Sequence, residues 1–336
     1  MEQIAQDTRL LVAASALSAV GAAVVGVKLF SFLKTLLELY VLKGVSLKKF
    51  GAGKGSWAVI TGASDGIGKE FAQQLAKNKF NVLLVSRTAS KLEAIAKEIG
   101  DQYGVETKTY AMDFTKGDNQ DFARLGDMMS SIRVGVLVNN VGTNHDIPTP
   151  YAEESDKVIE DIIEVNVKSA LKMTKLVLPQ MQTNRSGLIL NLGSFAGMVP
   201  SPYLSVYSGG KAFLSTWTQA LAKEVENQGI IVQNVNTYFV VSAMSKIRRP
   251  SFLIPLPKPY VASVLSKIGL PCGSNVPNTS TSYASQGLAN WFMNLLPPSF
   301  WITQNFNIQK DVRRRALRKR EREAAAAVAG GASKTQ

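Results

Sequence analysis

A tyrosine and a lysine four residues apart form the pair in this chain best suited to acid–base chemistry. They are Tyr207 and Lys211, and Ser194 precedes the tyrosine by thirteen residues. A phenol titrates near pH ~10, so it needs a nearby cation to exchange a proton at neutral pH. If residues 205–228 form a helix, both side chains lie on one face, where the ammonium would lower the pKa of the phenol. The spacing therefore predicts proton transfer to an oxygen that Ser194 also contacts.

A glycine-rich turn predicts where a nucleotide binds. Residues 57–61 read as a buried strand, and positions 61–68, which open a helix, have the sequence TGASDGIG. Gly62 permits the tight turn, Gly66 the close approach of a pyrophosphate, and Gly68 the packing of helix on strand. The helix N-terminus would face the phosphate charge. The spacing is T-G-x-x-x-G-x-G rather than G-x-G-x-x-G.

Short apolar runs alternate with potential helices through the middle of the chain. They cover residues 57–61, 81–86, 107–112, 134–139, 187–192 and 230–236. This alternation predicts an α/β fold with a buried, doubly wound parallel sheet of the Rossmann type. Ligands bind beyond the carboxyl ends of such strands, where Gly62, Asn139, Ser194 and Tyr207 would all lie. A core-forming role does not explain the polar residues Ser194 and Tyr207.

Taken together, these motifs resemble the short-chain dehydrogenase/reductase family over residues 56–241. The segment Asn139-Asn140-Val141-Gly142 resembles the N-N-A-G element of the family, with valine in place of alanine. Asn166 resembles the family's helix asparagine, and Asp113 resembles the residue that contacts the adenine ring. The resemblance implies hydride transfer from a nicotinamide to a carbonyl carbon.

The resemblance also implies a role for each of four catalytic residues. Tyr207 would give its proton to the developing alkoxide, and Ser194 would hydrogen-bond to the same oxygen. Lys211 would lower the phenol pKa and hold the nicotinamide ribose. Asn166 would keep a water in line for proton resupply, although a structural, helix-kinking role explains this residue nearly as well. No metal site is expected. The implied cofactor-binding residues are Thr61, Gly62, Ser64, Asp65, Gly66, Ile67, Gly68, Arg87, Asp113, Asn139, Asn140, Val141, Gly142, Tyr207, Lys211, Val240 and Ser242.

The end of the second predicted strand indicates which cofactor is preferred. An acidic residue there would hold a ribose 2′-hydroxyl, but the sequence is Ser86-Arg87-Thr88. Arg87 stands where a guanidinium can pair with a 2′-phosphate. The sequence therefore predicts NADPH, with a solvated arginine as the competing explanation.

An apolar segment near the N-terminus predicts a membrane anchor. Residues 10–27 carry no charge, and apolar residues continue to 33, which is long enough to span hydrocarbon. Residues 1–9 lack the positive n-region of a signal peptide, so we expect a retained transmembrane helix at 10–33. A buried helix of a soluble protein is the alternative. The positive-inside rule predicts a lumenal N-terminus and a cytosolic catalytic domain, because only Arg9 precedes the uncharged run 10–27, whereas five lysines crowd its C-terminal side: Lys28, Lys34, Lys43, Lys48 and Lys49.

The 336 residues carry a formal net charge of +13 and a single cysteine, Cys272. One cysteine excludes an intrachain disulfide and fits a reducing compartment. The basic residues cluster beside the anchor and at 311–322, so we assign the charge to contact with a membrane surface and expect no nucleic-acid partner. A solvated charged helix explains the basic tail almost as well, and residues 324–336 read as disordered.

After the sixth predicted strand the chain departs from the proline-glycine turn usual in the family. The segment Met244-Ser-Lys-Ile-Arg-Arg, the anchor, the Asn144-His145 loop and the Trp-rich C-terminal region resemble the branch of microsomal very-long-chain 3-oxoacyl-CoA reductases and related 17β-hydroxysteroid dehydrogenases. This resemblance implies a 3-oxoacyl-CoA substrate, reduced at the endoplasmic reticulum membrane during fatty-acid elongation beside other elongation enzymes. Residues 333–336 lack the paired lysines of a dilysine retrieval signal.

These expectations divide the chain into six parts. After the lumenal residues 1–9 and the anchor come a basic linker at 34–55 and the NADPH-binding catalytic domain at 56–241. Residues 242–310 would form a substrate lid and membrane-associated extension, and 311–336 a basic, partly disordered tail. Residues 288–306 either insert in the membrane or cover the acyl chain, and Pro297 and Pro298 argue against one straight helix there. Three basic residues either meet CoA phosphates or belong to a solvated loop: Lys246, Arg248 and Arg249.

Two other functions remain open. A hydroxysteroid or retinoid dehydrogenase would use the same four residues on a rigid polycyclic substrate. A non-catalytic membrane adaptor would keep the fold only to bind partners, although intact Ser194, Tyr207 and Lys211 argue against it. We expect His145, the sole histidine, to pack a loop or orient substrate, because Tyr207 already supplies the acid.

Overall fold

The computed structural model describes residues 2–332, so the end of the predicted tail, 333–336, lies outside the described residues. Seven parallel strands form one sheet: β1 (Trp57–Thr61), β2 (Asn81–Ser86), β3 (Thr107–Ala111), β4 (Val134–Asn139), β5 (Gly187–Leu192), β6 (Ile230–Val235) and β7 (Thr279–Ser280). Their order is β3-β2-β1-β4-β5-β6-β7. The predicted parallel sheet is confirmed.

Four predicted strands have the observed bounds, whereas β3 and β6 each end one residue early. The backbone N–H of Met112 still donates to Ser86, at 2.9 Å, and that of Asn236 donates to Ser280, at 2.8 Å. The difference is therefore one of strand-end assignment rather than of chain path. Strand β7 was not predicted, because two polar residues provide no apolar run.

Helices cover both faces of the sheet, as a doubly wound fold requires. One face carries α2 (Gly66–Lys77), α3 (Ala89–Tyr103) and α9 (Pro257–Ser266). The other face carries α4 (Asn119–Ser130), α6 (Ser169–Thr183) and α8 (Ser205–Glu224). Successive strand residues point to opposite faces, so Ile60 joins the first core and Val59 the second.

The strand order reverses between β1 and β4, and hydrogen bonds tie the turns that follow these two strands. Thr61 Oγ1 accepts from the backbone N–H groups of Asn140 and Val141, both at 3.0 Å. Asn140 Nδ2 donates to the carbonyl oxygens of Thr61 and Gly62, at 3.0 and 3.2 Å. The two turns thus form a rigid cradle at the switch point where such sheets bind ligands.

The N-terminal helix α1 (Glu2–Leu36) begins before the predicted anchor boundary at residue 10. Within the described chain, Asp7–Val41 is the one helical stretch long and apolar enough to cross a membrane, and its apolar side chains are exposed. The continuous exposure ends near residue 30, because the C-terminal end packs on α10 (Ala284–Met293), where the ring centroids of Phe32 and Trp291 lie 4.8 Å apart. Trp291 Nε1 donates to Ser31 Oγ at 3.1 Å. The helix is therefore joined to the body of the protein.

A long C-terminal helix, α11 (Pro298–Ala332), crosses the loops that follow β4 and β5. The chain breaks between Met293 and Pro298, as the two prolines predicted. Arg313 holds the helix in place by donating to the Pro148 carbonyl at 2.8 Å and to Glu153 at 2.5 Å. Residues 324–332 are helical rather than disordered as expected, since the alanines in this run have the highest helix propensity.

Candidate active site

Helix α8 and strand β5 bring the predicted catalytic residues together. The helix begins at Ser205 as predicted but ends at Glu224, and a separate 3₁₀ turn covers 226–228. Lys211 Nζ lies 5.7 Å from the centroid of the Tyr207 ring and donates to the carbonyl of Leu192, the last residue of β5, at 2.7 Å. Ser194 follows two residues later. Phenol, ammonium and hydroxyl therefore share one site.

Ser194 occupies the N-cap of a short helix, α7 (Phe195–Met198). Its Oγ accepts from the backbone N–H of Ala196 at 3.2 Å and also forms a hydrogen bond with Tyr207. The cap fixes the direction of the hydroxyl, because the serine backbone is extended while the next residues turn into the helix. Ser194 and Tyr207 are therefore neighbours, and the contact of both with one substrate oxygen stays a prediction.

Burial controls the pKa values of the two central side chains. Burial raises the pKa of Tyr207, and the hydrogen bond from Ser194 offsets part of that rise. Burial also lowers the pKa of Lys211 to about 8. In the protein alone, burial outweighs any lowering of the Tyr207 pKa, so the tuning of this phenol by Lys211 stays a prediction.

Asn166 lies in a π-helical turn, Glu164–Lys168, between α5 (Asp156–Ile163) and α6. Its Oδ1 accepts from the Thr143 N–H at 2.7 Å, and its Nδ2 donates to the Thr143 carbonyl at 2.8 Å. Both ends of the amide therefore hold the loop that follows β4. This arrangement favours a structural role for Asn166, and the water-holding role stays a prediction.

Gly142 marks the centre of the site. A Cβ atom added there would lie 3.3 Å from Asn166 Oδ1, 3.7 Å from Met244 Cε and 3.9 Å from Lys211 Nζ. The loop after β4, the π-helical turn, α8 and the segment after β6 thus meet at one point. Met244 was not predicted as a site residue, because an isolated methionine has no chemistry that marks it in a sequence.

The glycine turn has the geometry that a phosphate cradle needs. Gly62 has φ of +66°, and a Cβ on it would lie 2.9 Å from Asn140 Nδ2. A Cβ on Gly68 would lie 2.2 Å from the Gly62 carbonyl oxygen, so both positions require glycine. Asp65 caps α2, since its Oδ1 accepts from the Gly66 N–H at 2.7 Å. Half-buried Ser64 and Ile67 complete the turn.

Arg87 and Asp113 lie at the same edge of the sheet as the glycine turn. Arg87 is exposed directly after β2. Asp113 is half-buried after β3, where its Oδ1 accepts from the N–H and hydroxyl of Thr115 at 3.1 and 2.9 Å. Ser242, beyond β6, approaches from the other side, because a Cβ on Gly66 would lie 3.3 Å from its Cβ. Most of the predicted cofactor residues therefore lie around the switch point, and their contacts with a cofactor stay predictions.

Val240 and Asn139 are exceptions, because their side chains face the interior. Val240 belongs to the core around α2 and α9. Asn139 Nδ2 donates to Asn191 Oδ1 at 2.8 Å and to Thr174 Oγ1 at 3.1 Å. These two residues can therefore contact a cofactor only through their backbone atoms.

The Asn139 network extends to the catalytic helix. Asn191 Nδ2 donates to Thr218 Oγ1, on α8, at 2.8 Å. This link ties α8 to the sheet beneath Tyr207 and Lys211. Thr218 was not predicted as a site residue. It lies eleven residues after Tyr207 and seven after Lys211, which places it on the same helix face.

Comparisons with known proteins agree with this geometry. The profile of the short chain dehydrogenase family matches residues 56–251. A Coprinopsis cinerea protein named very-long-chain 3-oxoacyl-CoA reductase is 53% identical over 302 residues, covering 89% of each chain. A Neurospora crassa protein of the same name is 46% identical, covering 92% of this chain and 94% of its own.

Solved structures share the fold at lower identity. A 7β-hydroxysteroid dehydrogenase structure superimposes with a TM-score of 0.66 at 23% identity, covering 78% of this chain and 99% of its own. A short-chain dehydrogenase from Sphingobium yanoikuyae, in complex with NADPH, gives a TM-score of 0.60 at 24% identity and covers 71% and 94%. Each superposition covers most of the other protein's chain and not its sheet alone.

Proposed function

The chain belongs to the short-chain dehydrogenase family and is an oxidoreductase, and we propose that it reduces very-long-chain 3-oxoacyl-CoA to 3-hydroxyacyl-CoA with NADPH. The observation that carries this proposal is the convergence of Ser194, Tyr207 and Lys211 at one site. Identity of 53% over 89% of a chain with that name supports the choice of substrate.

In the proposed mechanism each catalytic side chain has a separate task. NADPH, when bound, supplies the hydride. Tyr207 donates its phenolic proton to the substrate carbonyl oxygen, and Ser194 donates a hydrogen bond to the same oxygen. Because burial raises the pKa of Tyr207, the phenol keeps its proton until the alkoxide develops. Lys211, cationic below about pH 8, adds positive charge where water is excluded.

Two features support NADPH as the cofactor. The glycine turn packs tightly against the start of α2, because side chains on Gly62 and Gly68 would clash with Asn140 and the Gly62 carbonyl, and the N-terminus of this helix can face a pyrophosphate. Arg87 is exposed at the end of β2, where it can pair with a 2′-phosphate, and the residues beside it are not acidic. The cradle accepts either nicotinamide dinucleotide, whereas Arg87 favours the phosphorylated one.

We place the protein in the endoplasmic reticulum membrane with the catalytic domain in the cytosol. The exposed apolar helix Asp7–Val41 supports the anchor. Its flanking lysines support the orientation, since they follow the apolar residues. The 3-hydroxyacyl product requires a further enzyme for elongation to continue, so we propose the other elongation enzymes as neighbours in this membrane.

Aromatic side chains extend from the catalytic serine, and we propose that they lead to an apolar surface that reaches the anchor. The ring of Phe195, next to Ser194, packs on the Tyr238 ring, with centroids 5.4 Å apart. The Tyr238 ring packs in turn on Phe239, with centroids 4.8 Å apart. Gln286 Nε2 donates hydrogen bonds to the backbone carbonyls of Phe239 and Leu253, at 3.0 and 2.9 Å, and so holds these two segments together. Other apolar side chains between residues 252 and 300 are exposed and would belong to this surface: Phe252, Leu253, Phe292, Leu295, Leu296 and Phe300.

We propose that this surface rests on the bilayer and guides the acyl chain to Ser194. Large exposed apolar patches mark lipid or protein contacts, and this one is continuous with the anchor through the Phe32–Trp291 pair. Helix α10 has ten residues, too few to span hydrocarbon. Helix α11 is long enough but not apolar enough, since among the described helices only Asp7–Val41 meets both conditions, and for residues 288–306 this supports a cover over the acyl chain rather than a second membrane span.

An assay on sealed microsomes tests substrate, cofactor and orientation together. A long 3-oxoacyl-CoA and NADPH are added outside the vesicles without detergent, and the hydroxy product is followed. We expect product, faster with NADPH than with NADH, because neither CoA esters nor NADPH cross the bilayer freely. Reduction of a ketosteroid instead would replace the proposed substrate. Turnover that occurs only after detergent opens the vesicles would place the catalytic domain in the lumen. NADPH binding without turnover of any carbonyl would indicate an adaptor.

A further inference from the structure

A basic cavity of about 420 Å³ lies between α11 and the loop that leads into α8. Its volume falls within the range of small-ligand pockets, roughly 300–1,000 Å³. Four cationic side chains and one carboxylate line the cavity together with an aromatic ring, so an anionic ligand is favoured. These residues are Tyr203, Lys310, Arg313, Arg314, Arg318 and Glu321.

Tyr203 connects this cavity with the active site. It lies four residues before Tyr207, and its carbonyl accepts from the Thr149 N–H at 2.9 Å, which joins the loops after β4 and β5. Its φ of +68° is in the left-handed region, which is rare for a bulky residue and tends to occur at functional sites. In this conformation the Tyr203 ring meets the Phe306 ring of α11, with centroids 5.2 Å apart.

Some cations of α11 hold the helix in place, and others are available to a ligand. Arg313 is engaged with Pro148 and Glu153, and Lys310 lies 4.1 Å above the Phe306 ring. Among the described residues, Arg314 pairs only with exposed Asp311 on its own helix, at 2.6 Å, and exposed ion pairs of this kind are weak. Arg318 is also exposed. The guanidinium groups of Arg314 and Arg318 can therefore turn toward a phosphate.

We propose that this cavity binds the phosphorylated adenosine of the CoA ester, an inference that rests on the proposed function. Guanidinium groups bind phosphates through paired hydrogen bonds, and an aromatic ring provides a stacking surface for a purine. The pantetheine arm then passes Tyr203 to reach Tyr207. The acyl chain leaves the site by another route, along Phe195 and Tyr238.

A second basic cavity, of about 1100 Å³, is the competing location. Its cations include Lys246, Arg248 and Lys258, but Asp65 and Gly66 of the cofactor turn line it as well. Lys246 is already paired with Asp146 at 2.7 Å. None of its described lining residues is aromatic, so no ring is present to stack on adenine. The cavity at Tyr203 therefore suits the CoA nucleotide better.

The test compares two substrates that differ only in the nucleotide. Full-length protein in neutral detergent receives NADPH and either a 3-oxoacyl-CoA or the same acyl group on pantetheine. The double variant Arg314→Gln/Arg318→Gln should raise the KM for the CoA ester about tenfold or more, since each lost charged contact is strong. The KM values for the pantetheine ester and for NADPH should stay unchanged, which also shows that the variant folds.

The matched control is Arg315→Gln/Arg322→Gln, which removes the same charge from the same helix outside the cavity and should change none of these KM values.

An unchanged KM for the CoA ester in the cavity variant, or an equal rise for both substrates, would overturn the proposal. So would a CoA-specific rise with Arg248→Gln/Lys258→Gln, which would place the nucleotide in the second cavity. Wild-type protein that reduced neither substrate would instead refute the proposed function, and the nucleotide site with it.

Discussion

At the residue scale, desolvation shifts the pKa values of Tyr207 and Lys211 in opposite directions. Burial keeps the phenol neutral and makes the ammonium easier to deprotonate, because each shift disfavours the charged form. Lys211 keeps a strong hydrogen bond to the Leu192 carbonyl, which compensates the buried charge. At neutral pH the site therefore holds a neutral acid beside a cation, the arrangement that a developing alkoxide needs.

The shifted lysine predicts a pH limit for the reaction. Below about pH 8 Lys211 is protonated, and above it the positive charge beside the alkoxide is lost. We therefore expect kcat/KM for reduction to fall as pH rises through about 8, and this parameter reports ionisations of the free enzyme. Lys211→Arg, which stays charged, should move the alkaline limb to higher pH. A wild-type profile that is flat up to about pH 10 would contradict this assignment.

Sequence spacing predicted which catalytic side chains meet but not what surrounds them. Tyr207 and Lys211 share a helix face because they are four residues apart, and the structure confirms that face. The acceptor for Lys211 is a backbone carbonyl, and the clamp on Asn166 is the backbone of Thr143. Such partners have no side-chain signature, so sequence patterns did not predict them or the direction of the Tyr207 pKa shift.

At the element scale, continuous apolar runs made the central strands predictable. Strands β4 and β5 agree residue by residue with the prediction, because both are buried on both faces. Strand β7 depends on its pairing with Asn234 and Val235 of β6, a tertiary contact that a two-residue segment cannot encode locally. At the end of α11, charge and low complexity favour disorder whereas the alanine run favours helix, and the helix is what forms.

Two glycine substitutions separate a required glycine from a dispensable one. Gly68→Ala should lower the free energy of unfolding by about 1–3 kcal/mol and weaken NADPH binding, because the new methyl group meets the Gly62 carbonyl oxygen. Gly209→Ala, on the exposed face of α8 with no neighbour within 4 Å, should stabilise the protein by roughly 0.5–1 kcal/mol. Urea unfolding and NADPH titration measure both effects. Equal stability of the two variants would show that the turn tolerates a side chain.

At the scale of the whole molecule, the anchor and α11 provide two different environments, one for each end of the proposed substrate. The apolar surface near Phe292 is continuous with the membrane helix, whereas the cavity at Tyr203 is basic. A long acyl-CoA has the same division, since its chain is apolar and its nucleotide is anionic. In the proposed arrangement both portions converge on Tyr207, which lies between the loops that α11 covers.

Transfer of isotope from the cofactor tests the central claim most directly. Membranes bearing wild-type or Tyr207→Phe protein receive a long 3-oxoacyl-CoA and NADPH deuterated at the nicotinamide C4, and the hydroxy product is analysed by mass spectrometry. We predict deuterium at C3 with the wild type and a rate about 10²–10⁴-fold lower with Tyr207→Phe, while NADPH binding is retained. Unimpaired turnover by the variant, or a product without deuterium at C3, would contradict the account.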